Sequence, residues 1–287
     1  METDAPNAEQ MRYWNEVAGP RWVQFQERLD HELAAADLAL ERAAPAPGEA
    51  VLDVGCGCGT SSLAIARRVG PRGRVLGIDI SRPMLARARA RAAAEGAAQL
   101  ELLEADAQTA ALEPAAFDLL FSRFGVMFFA DPAAAFANLR RALRPGARLL
   151  FVCWQRLADN PWVLAPLEAI AKHVPLPPPP PPGAPGPFAF ADAERVRALL
   201  ERAGFAGVAI EDVRFALGLG GGGLDDAVEF SLEIGPASAA LREAGASDDL
   251  RARAAAAVRE ALARYERPEG VRVPAAAWIV TARNPAP

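Results

Sequence analysis

Basic residues other than arginine are nearly absent from this sequence of 287 residues. Lys172 is its one lysine, and His31 and His173 are its two histidines. The formal net charge is −5 at pH 7. Proteins that bind nucleic acid usually carry an excess of positive charge on the domain that binds it. We therefore expect no nucleic acid among the partners of this protein.

Long apolar runs are also missing, and cysteines are few. No stretch approaches the roughly eighteen apolar residues that a membrane-spanning helix needs, so we expect no membrane span. The opening segment METDAPNAEQ lacks the basic and apolar regions of a signal peptide. Three cysteines, Cys56, Cys58 and Cys153, form no disulfide framework. We expect a cytoplasmic protein whose oligomeric state stays open, a homodimer included.

What the sequence does contain is an alternation of apolar runs with helical patterns from residue 50 onward. Hydrophobic residues make up 52% and charged residues 23%, which is ordinary for a globular protein. Continuous apolar strands separated by helices predict an α/β fold with a doubly wound parallel sheet covered on both faces. Seven strands are predicted, in the segments EAVLDVG, GRVLGIDI, AQLELLEAD, FDLLFSRFGVMFF, ARLLFVCWQ, GVAIEDVRFALGL and AAWIVTARN.

Segments outside this alternation divide the chain further. Two helices are predicted over residues 8–44, and Ser81 is predicted as the N-cap of a helix that ends at Gly96. The proline-rich stretch 175–187 is either a low-complexity loop or the semi-rigid arm of a lid. The predicted division is an N-terminal helical lid (1–47), a core (48–155), a proline-rich insertion (156–190), a continued core (191–219), a helical cap insertion (220–268) and the last strand with the C-terminus (269–287).

A glycine-rich loop follows the first predicted strand in the segment VLDVGCGCGT. A loop of this kind lets a ligand approach the backbone amides closely. The spacing differs from the dinucleotide fingerprint G-x-G-x-x-G, because Thr60 stands where its third glycine belongs. Cys56 and Cys58 lack the second ligand pair of a structural zinc site, so no metal is expected.

Three aspartates lie in or directly after three successive predicted strands. Asp53 lies inside the first strand, Asp79 closes the second, and Asp106 follows the third. The carboxyl ends of parallel strands meet at one edge of a sheet, where open α/β sheets bind their ligands. A carboxylate at the position of Asp79 can accept both hydroxyls of a ribose. The set therefore predicts a nucleotide pocket at this edge.

These segments resemble a known family. VLDVGCGCGT, GIDIS, EADAQ, FDLLFSRFGVMFF and LRPGARLLFVCW are similar to the successive motifs of class I S-adenosylmethionine-dependent methyltransferases. They most resemble the small-molecule branch that includes the ubiquinone and menaquinone C-methyltransferases. The resemblance covers about residues 48–155 and implies a Rossmann-like, mostly parallel seven-stranded sheet. AAWIVTARN would be its closing antiparallel strand.

The resemblance also implies which residues bind S-adenosylmethionine and its product S-adenosylhomocysteine. It places the glycine loop at the methionine portion, Asp79 at the ribose, and Asp106 with Ala107 at the adenine. Ile80 and Met84 would sandwich the adenine ring, and Ser122 with the residues after it would face the sulfonium and the methyl group. The full implied set is Asp53, Gly55, Cys56, Gly57, Gly59, Asp79, Ile80, Met84, Asp106, Ala107 and Ser122.

Aromatic residues that cluster in sequence around the carboxyl edge of the sheet belong either to the core or to an acceptor pocket, which would then suit a small apolar or aromatic molecule. The segment from Ser122 to Gly125 differs from the Asn/Asp-Pro-Pro-aromatic motif of DNA amino-methyltransferases, which argues against a DNA substrate. No catalytic base is assigned, since neither histidine stands out. Tyr13, Trp22 and Gln24 are expected in a lid by analogy. The candidate acceptor-binding residues are Tyr13, Trp22, Phe124, Met127, Phe128, Trp154 and Trp162, with Phe129 in the same aromatic cluster.

Two other functions stay open at this stage. An NAD-dependent oxidoreductase could use a related sheet, although the shifted third glycine and the acid at Asp106 favour S-adenosylmethionine. A module that binds S-adenosylmethionine without catalysis is the other alternative, because binding and turnover need different residues. Fold alone does not decide among them.

Overall fold

One eight-stranded sheet organises the computed structural model, which describes residues 7–33, 38–219 and 221–286. Seven strands follow the order β3-β2-β1-β4-β5-β8-β6, and the two-residue β7 pairs with β8 outside this path. β1 to β5 pair with one another in parallel, whereas β8 is antiparallel to β5 and β6. The expected fold class is confirmed. The strands are β1 (Ala50–Val54), β2 (Arg74–Asp79), β3 (Leu100–Glu104), β4 (Phe117–Arg123), β5 (Leu143–Trp154), β6 (Ala206–Leu219), β7 (Glu266–Arg267) and β8 (Gly270–Arg283).

Helices cover the sheet and close over its carboxyl edge. The α-helices are α1 (Ala8–Arg12), α2 (Ala18–Gln24), α3 (Gln26–Glu32), α4 (Leu38–Ala43), α5 (Thr60–Val69), α6 (Arg82–Glu95), α7 (Pro132–Ala142), α8 (Pro161–Ile170), α9 (Ala193–Arg202), α10 (Leu224–Glu233), α11 (Pro236–Glu243) and α12 (Asp248–Ala263). A π-helical turn spans Tyr13–Val17, and 3₁₀ turns span Val126–Phe128 and Leu157–Asp159.

The central strands are buried on both faces, as a parallel sheet between helices requires. Four of the five residues of β1 are buried, and Phe117 and Phe121 of β4 are nearly inaccessible to solvent. Helix α5 packs against β1, β2 and β3, and α4 packs against β4 and β5. Helix α7 packs against β5, and α9 packs against β6. Two helices begin at aspartate caps: Asp131 and Asp192 each accept two backbone N–H groups.

The N-terminal region differs from the two helices predicted over residues 8–44. Its described residues form four short α-helices and a π-helical turn. Phe25, with φ of −101° and ψ of 16°, separates α2 from α3. Ser81 is the N-cap residue of α6, but its hydroxyl donates to the carbonyl oxygen of Trp14 rather than capping the helix. Residues 1–6 and 34–37 of the predicted lid, and Gly220 of the predicted cap, lie outside the described residues.

The two insertions are packed together. Helix α8 contacts α11 and α12, and α10 contacts α12. Residues 175–187 contain neither helix nor strand, and the Gly186 N–H donates to the carbonyl oxygen of Met127 at 3.0 Å. Among the described residues, no helix is both long and apolar enough to cross a membrane.

Candidate functional site

A cavity of about 510 Å³ lies at the carboxyl ends of β1 to β4. Residues after all four strands line it, and helices α2, α3, α8, α10 and α11 add side chains from outside the sheet. Pro185, Gly186 and Pro187 complete the wall. The volume is in the range of sites that enclose small molecules, and β1 and β4 flank the point where the strand order reverses.

The glycine loop after β1 borders this cavity at close backbone contact. Gly55 has φ of 69°, and a Cβ there would lie 2.6 Å from the Gly125 Cα. Gly57 has φ of 54°, and a Cβ there would lie 2.8 Å from the Met84 Cε. The left-handed backbone favours glycine at both positions, and at Gly55 the neighbouring backbone leaves no space for a side chain, whereas at Gly57 the flexible end of Met84 could move aside.

Asp79 lies at the end of β2 and is tied to the glycine loop. Its carboxylate oxygens accept the Gly57 N–H at 2.8 Å and the Ser81 N–H at 2.9 Å. Burial raises the pKa of the Asp79 carboxyl, although these backbone N–H groups lower it. The side chain is therefore fixed beside the cavity, where it can accept hydrogen bonds from hydroxyl groups of a ligand.

Asp106 occupies the corresponding place after β3. Its Oδ1 accepts the Gln108 N–H at 3.0 Å, and the Asn7 side chain interacts with the carboxylate, but no hydrogen bond of normal geometry reaches its buried Oδ2. Burial raises the pKa of this carboxyl as well. An unpaired buried acceptor is costly unless a ligand donor satisfies it, and an exocyclic amino group would do so. Ala107, Ile80 and Met84 line the cavity beside it.

Three of the expected cofactor residues do not line the cavity. Asp53 is fully buried below the loop and accepts hydrogen bonds from Ser61 and Ser62. Gly59 is the N-cap of α5, with its Cα beside Ala88 of α6. The Ser122 hydroxyl donates to the carbonyl oxygen of Val54 at 2.7 Å, so the expectation that Ser122 faces the sulfonium is corrected. Alternate residues of a strand point to opposite faces, and the cavity receives Arg123 instead.

We predict that Asp53 makes the stability of the protein depend on pH. Burial raises its pKa to about 6, although the Ser62 and Ser61 hydroxyls oppose the shift. The folded state therefore binds this proton more tightly than the unfolded chain, and the stabilisation is lost as the pH rises through 6. The free energy of unfolding should fall by about 2 kcal/mol between pH 4 and 7 through this group.

The variant Asp53→Asn isolates this contribution, because the amide keeps the shape of the side chain but does not titrate. Urea unfolding of both proteins at pH 4, 5, 6 and 7 gives the difference in unfolding free energy. That difference should change by the predicted amount, with the wild type relatively more stable at low pH. A difference independent of pH would contradict the prediction.

Aromatic side chains form the far end of the cavity. The rings of Phe124 and Trp154 are stacked with centroids 4.1 Å apart, and Trp162 lies 4.9 Å from Trp154. The backbone of Phe124 is in the left-handed region, with φ of 61°, which is unusual for a bulky residue. The buried Asn160 accepts the indole N–H of Trp162 at 3.0 Å. We call Phe124, Trp154 and Trp162 the aromatic wall.

The other expected acceptor residues lie around this wall. Met127, Phe128 and Phe129 line the cavity, as do Tyr13 and Trp22 of the N-terminal region. Gln24 is exposed to solvent, and Gln26 lines the cavity in its place. Sequence reasoning also missed Trp14, Asp30 and Arg123 as lining residues. For Arg123 a signal was present, since it directly precedes the aromatic residues of SRFGVMFF.

Neither histidine is in a position to transfer a proton in the cavity, and the cysteines there are poor nucleophiles. His31 and His173 are exposed, and neither belongs to its described lining. Cys56 and Cys58 line it, but burial raises the pKa of both thiols, that of Cys58 to about 12. A thiol with such a pKa stays protonated near neutral pH and is a weak nucleophile.

Comparison with known proteins identifies the domain that carries this cavity. A family profile described as a methyltransferase domain matches residues 51–146. Residues 51–146 carry a methyltransferase domain. The resemblance noted from the sequence motifs is thereby confirmed at the level of a methyltransferase domain.

Curated relatives of this methyltransferase domain cover only part of the chain. Aklanonic acid methyltransferase DauC of Streptomyces sp. is 37% identical over 137 residues, which are 46% of this chain and 62% of that protein. Demethylmenaquinone methyltransferase of Thermus thermophilus is 38% identical over 130 residues, 45% of this chain and 56% of that one. The chain covers 37% to 62% of the length of the first four curated relatives.

Solved structures have folds similar to that of this chain. A SAM-dependent methyltransferase from Aquifex aeolicus aligns with a TM-score of 0.51 and 20% identity. The alignment covers 70% of this chain and 94% of that one. At this identity the likeness shows the fold alone.

Proposed function

We propose that this protein transfers a methyl group from S-adenosylmethionine to a small apolar or aromatic molecule. One observation carries the proposal. The cavity continues from the carboxylates and glycine loop at the sheet edge to the aromatic wall and the lid. A nucleotide cofactor and a flat acceptor can therefore meet inside one enclosure.

The cofactor-binding residues follow from the site. Gly55 and Gly57 leave room at the loop, Asp79 accepts hydroxyl donors, and Asp106 offers its unpaired oxygen to an amino group. Ile80 and Met84 supply apolar contacts beside them. Bound S-adenosylmethionine supplies an electrophilic methyl group, whose bond to sulfur breaks as the bond to the acceptor forms, leaving neutral S-adenosylhomocysteine.

The contribution of the protein is alignment and exclusion of water. The aromatic wall offers flat surfaces for a planar acceptor, and tight enclosure keeps water away from the reacting atoms. In well-oriented systems such positioning is worth about 7–11 kcal/mol of the barrier. The described lining holds no histidine, and burial keeps the Cys58 thiol protonated, which agrees with catalysis by positioning.

The proposal also assigns a lid and a cap to segments outside the core. Residues 1–47 would act as the lid, and residues 156–190 and 220–268 together as a cap over the core. Arg21 donates to the carbonyl and carboxylate oxygens of Glu233, and Arg28 pairs with Asp226 at 2.6 Å. These contacts join the lid to α10 of the cap. A small-molecule acceptor, rather than nucleic acid, and a cytoplasmic location complete the proposal.

Calorimetric titration with S-adenosylmethionine, S-adenosylhomocysteine and NAD tests the cofactor. We expect the two sulfur nucleotides to bind and NAD not to bind. Incubation with methyl-labelled S-adenosylmethionine and a panel of quinols, phenols and carboxylic acids then tests transfer. Binding of NAD alone would favour the oxidoreductase alternative, and cofactor binding without transfer to any acceptor would favour a non-catalytic module.

The lid offers a prediction of its own, at Asn15. Its amide donates to the Ile80 carbonyl oxygen at 2.9 Å and accepts the Arg82 N–H at 2.9 Å. These bonds fasten the π-helical turn to the segment that follows Asp79. Asn15→Ala should loosen the lid and weaken S-adenosylhomocysteine binding by about fivefold, as expected for the loss of a hydrogen-bond pair.

Gln99→Ala is the matched control, because that amide donates to the Ala66 carbonyl oxygen at 2.8 Å and does not line the cavity. It should leave the calorimetric affinity unchanged. Limited proteolysis adds a second readout, since a loosened lid is cut faster in Asn15→Ala. Equal affinity and equal cleavage rates for both variants would contradict a fastening role for Asn15.

A further inference from the structure

Asn7 directly precedes α1, at a position where an asparagine side chain ordinarily caps the helix. Here it does not, because no hydrogen bond joins the side chain to the helix, and the backbone has φ of 72°. The Met11 N–H donates to the Asn7 carbonyl oxygen at 3.0 Å, so only the backbone of Asn7 takes part in α1. The residue is 8% exposed and lines the cavity. Its amide therefore serves the cavity rather than the helix.

The Asn7 amide lies beside the carboxylate of Asp106, the acid that follows β3. Burial raises the pKa of the Asp106 carboxyl, and the Asn7 amide, which donates toward the carboxylate, lowers that pKa. An ionised carboxylate can only accept hydrogen bonds, so the N–H side of the amide faces Asp106. The other side of the amide carries Oδ1, which is buried and has no hydrogen-bond partner.

Two more buried oxygens accompany the Asn7 Oδ1. No hydrogen bond of normal geometry reaches the Asp106 Oδ2, and the Oε1 of Gln10, one helical turn after Asn7, has no partner either. All three residues line the cavity. A buried acceptor is costly to leave unpaired, although a ligand that donates hydrogen bonds removes that cost. The cluster therefore fits a ligand group that presents several N–H or O–H donors.

The place of this cluster along the cavity indicates which group that is. Asp79 ends β2, where the proposed complex has the ribose, and Asp106 follows the neighbouring strand β3. Ile80 and Met84 add apolar surface beside these acids. A nucleoside that extends from Asp79 across the apolar surface brings the edge of its base to Asp106 and Asn7. On adenine, that edge carries an amino group with two N–H donors.

We infer that Asn7 determines specificity for the cofactor, because its Oδ1 accepts one N–H of the adenine amino group while the Asp106 Oδ2 accepts the other. The inference rests on the proposed function and adds a contact from the lid to it. Asn7 belongs to the proposed lid and Asp106 to the core. The amino group joins the two segments, so the lid closes on the cofactor itself and does not need the acceptor.

The test compares S-adenosylhomocysteine with the analogue in which hydrogen replaces the amino group of the base. The analogue keeps the sugar, the ring system and the amino-acid portion, so it lacks only the two N–H donors. Calorimetry on the wild type should give an affinity about a hundredfold lower for the analogue, because two buried acceptors stay unpaired in its complex. Equal affinities for the two ligands would overturn the inference.

Asn7→Gly removes the amide without straining the backbone, because φ of 72° suits glycine. Affinity for S-adenosylhomocysteine should fall about tenfold and affinity for the analogue should change by less than about twofold. The preference for the amino group then drops from about a hundredfold to about tenfold. Asn7→Ala repeats the test with a stiffer residue, so that added flexibility at glycine is controlled. A preference of wild-type size in either variant would contradict the role of Asn7.

Asn15→Ala is the control variant within the same lid. Its amide is bonded to the Ile80 carbonyl oxygen and the Arg82 N–H rather than placed beside Asp106. The substitution should weaken both ligands by the same factor and leave the preference at its wild-type value. If Asn15→Ala reduced the preference as much as Asn7→Gly does, looseness of the lid would set it, and the inference would fail.

Failure of the inference and failure of the proposed function give different results. A wild-type protein that does not bind S-adenosylhomocysteine refutes the proposed function. A protein that binds it and methylates an acceptor, with a preference for the amino group that is independent of residue 7, refutes only the role of Asn7.

Discussion

Replacing Asp79 with alanine should weaken binding of S-adenosylhomocysteine by about ten- to a hundredfold, the effect of losing one charge-assisted hydrogen bond or more. The carboxylate holds the Gly57 and Ser81 N–H groups, and in the proposed complex it also accepts the ribose hydroxyls. Its removal therefore loosens the glycine loop and removes a ligand contact together. Calorimetric titration of the variant measures the change.

Asp118→Ala is the control for this substitution. Asp118 also accepts a backbone N–H, that of Ala50 at 2.9 Å, and an arginine, Arg144, at 2.6 Å. It lies near the amino ends of β1 and β4 and does not line the cavity. The control should lose some stability and keep its cofactor affinity. Wild-type affinity in Asp79→Ala would refute the assignment of Asp79 to the ribose.

The second large effect is expected at Gly55. Gly55→Ala places a Cβ 2.6 Å from the Gly125 Cα, a contact between two backbones that no side-chain rotation relieves. Overpacking of this kind costs about 1–3 kcal/mol, to which the left-handed conformation adds about 1 kcal/mol. The melting temperature should fall by about 5–10 °C, and cofactor affinity by more than about tenfold, because the loop must move.

Gly48→Ala separates crowding from conformation. Gly48 also has a positive φ, of 87°, but a Cβ there would have no neighbour within 4 Å. The variant carries the conformational cost alone, so its melting temperature should fall by about 2–4 °C with cofactor affinity unchanged. Thermal melts and calorimetry on both variants give the comparison. Equal losses would mean that the backbone at Gly55 yields to the added methyl group.

Much of the fold was predictable because its signals are local. Apolar runs bounded by glycines mark β1, β2 and their neighbours, and crossover helices between them force a parallel sheet. The same rule predicted that Asp79 and Asp106 meet at one edge. Both acids line the cavity there. Their assignments to ribose and adenine remain predictions.

The errors also have local physical causes. Ser122 and Arg123 are consecutive residues of β4, so their side chains point to opposite faces of the sheet, and only that of Arg123 lines the cavity. The motif located the segment but not its facing. Gln24 and Gln26 show the same problem on helices, because the π-helical turn at Tyr13–Val17 and the break at Phe25 change which side faces the cavity.

The sequence by itself determined the parallel sheet, the glycine loop and the order of acids along the strand ends. Periodicity and turn chemistry act over a few residues and can be recognised in any window of the chain. Only the tertiary structure decided that Arg123, Pro185–Pro187 and Phe230 line one cavity. It also decided that Arg21 contacts Glu233, 212 residues later. Such contacts depend on how separate elements pack, and neither residue's local pattern specifies its distant partner.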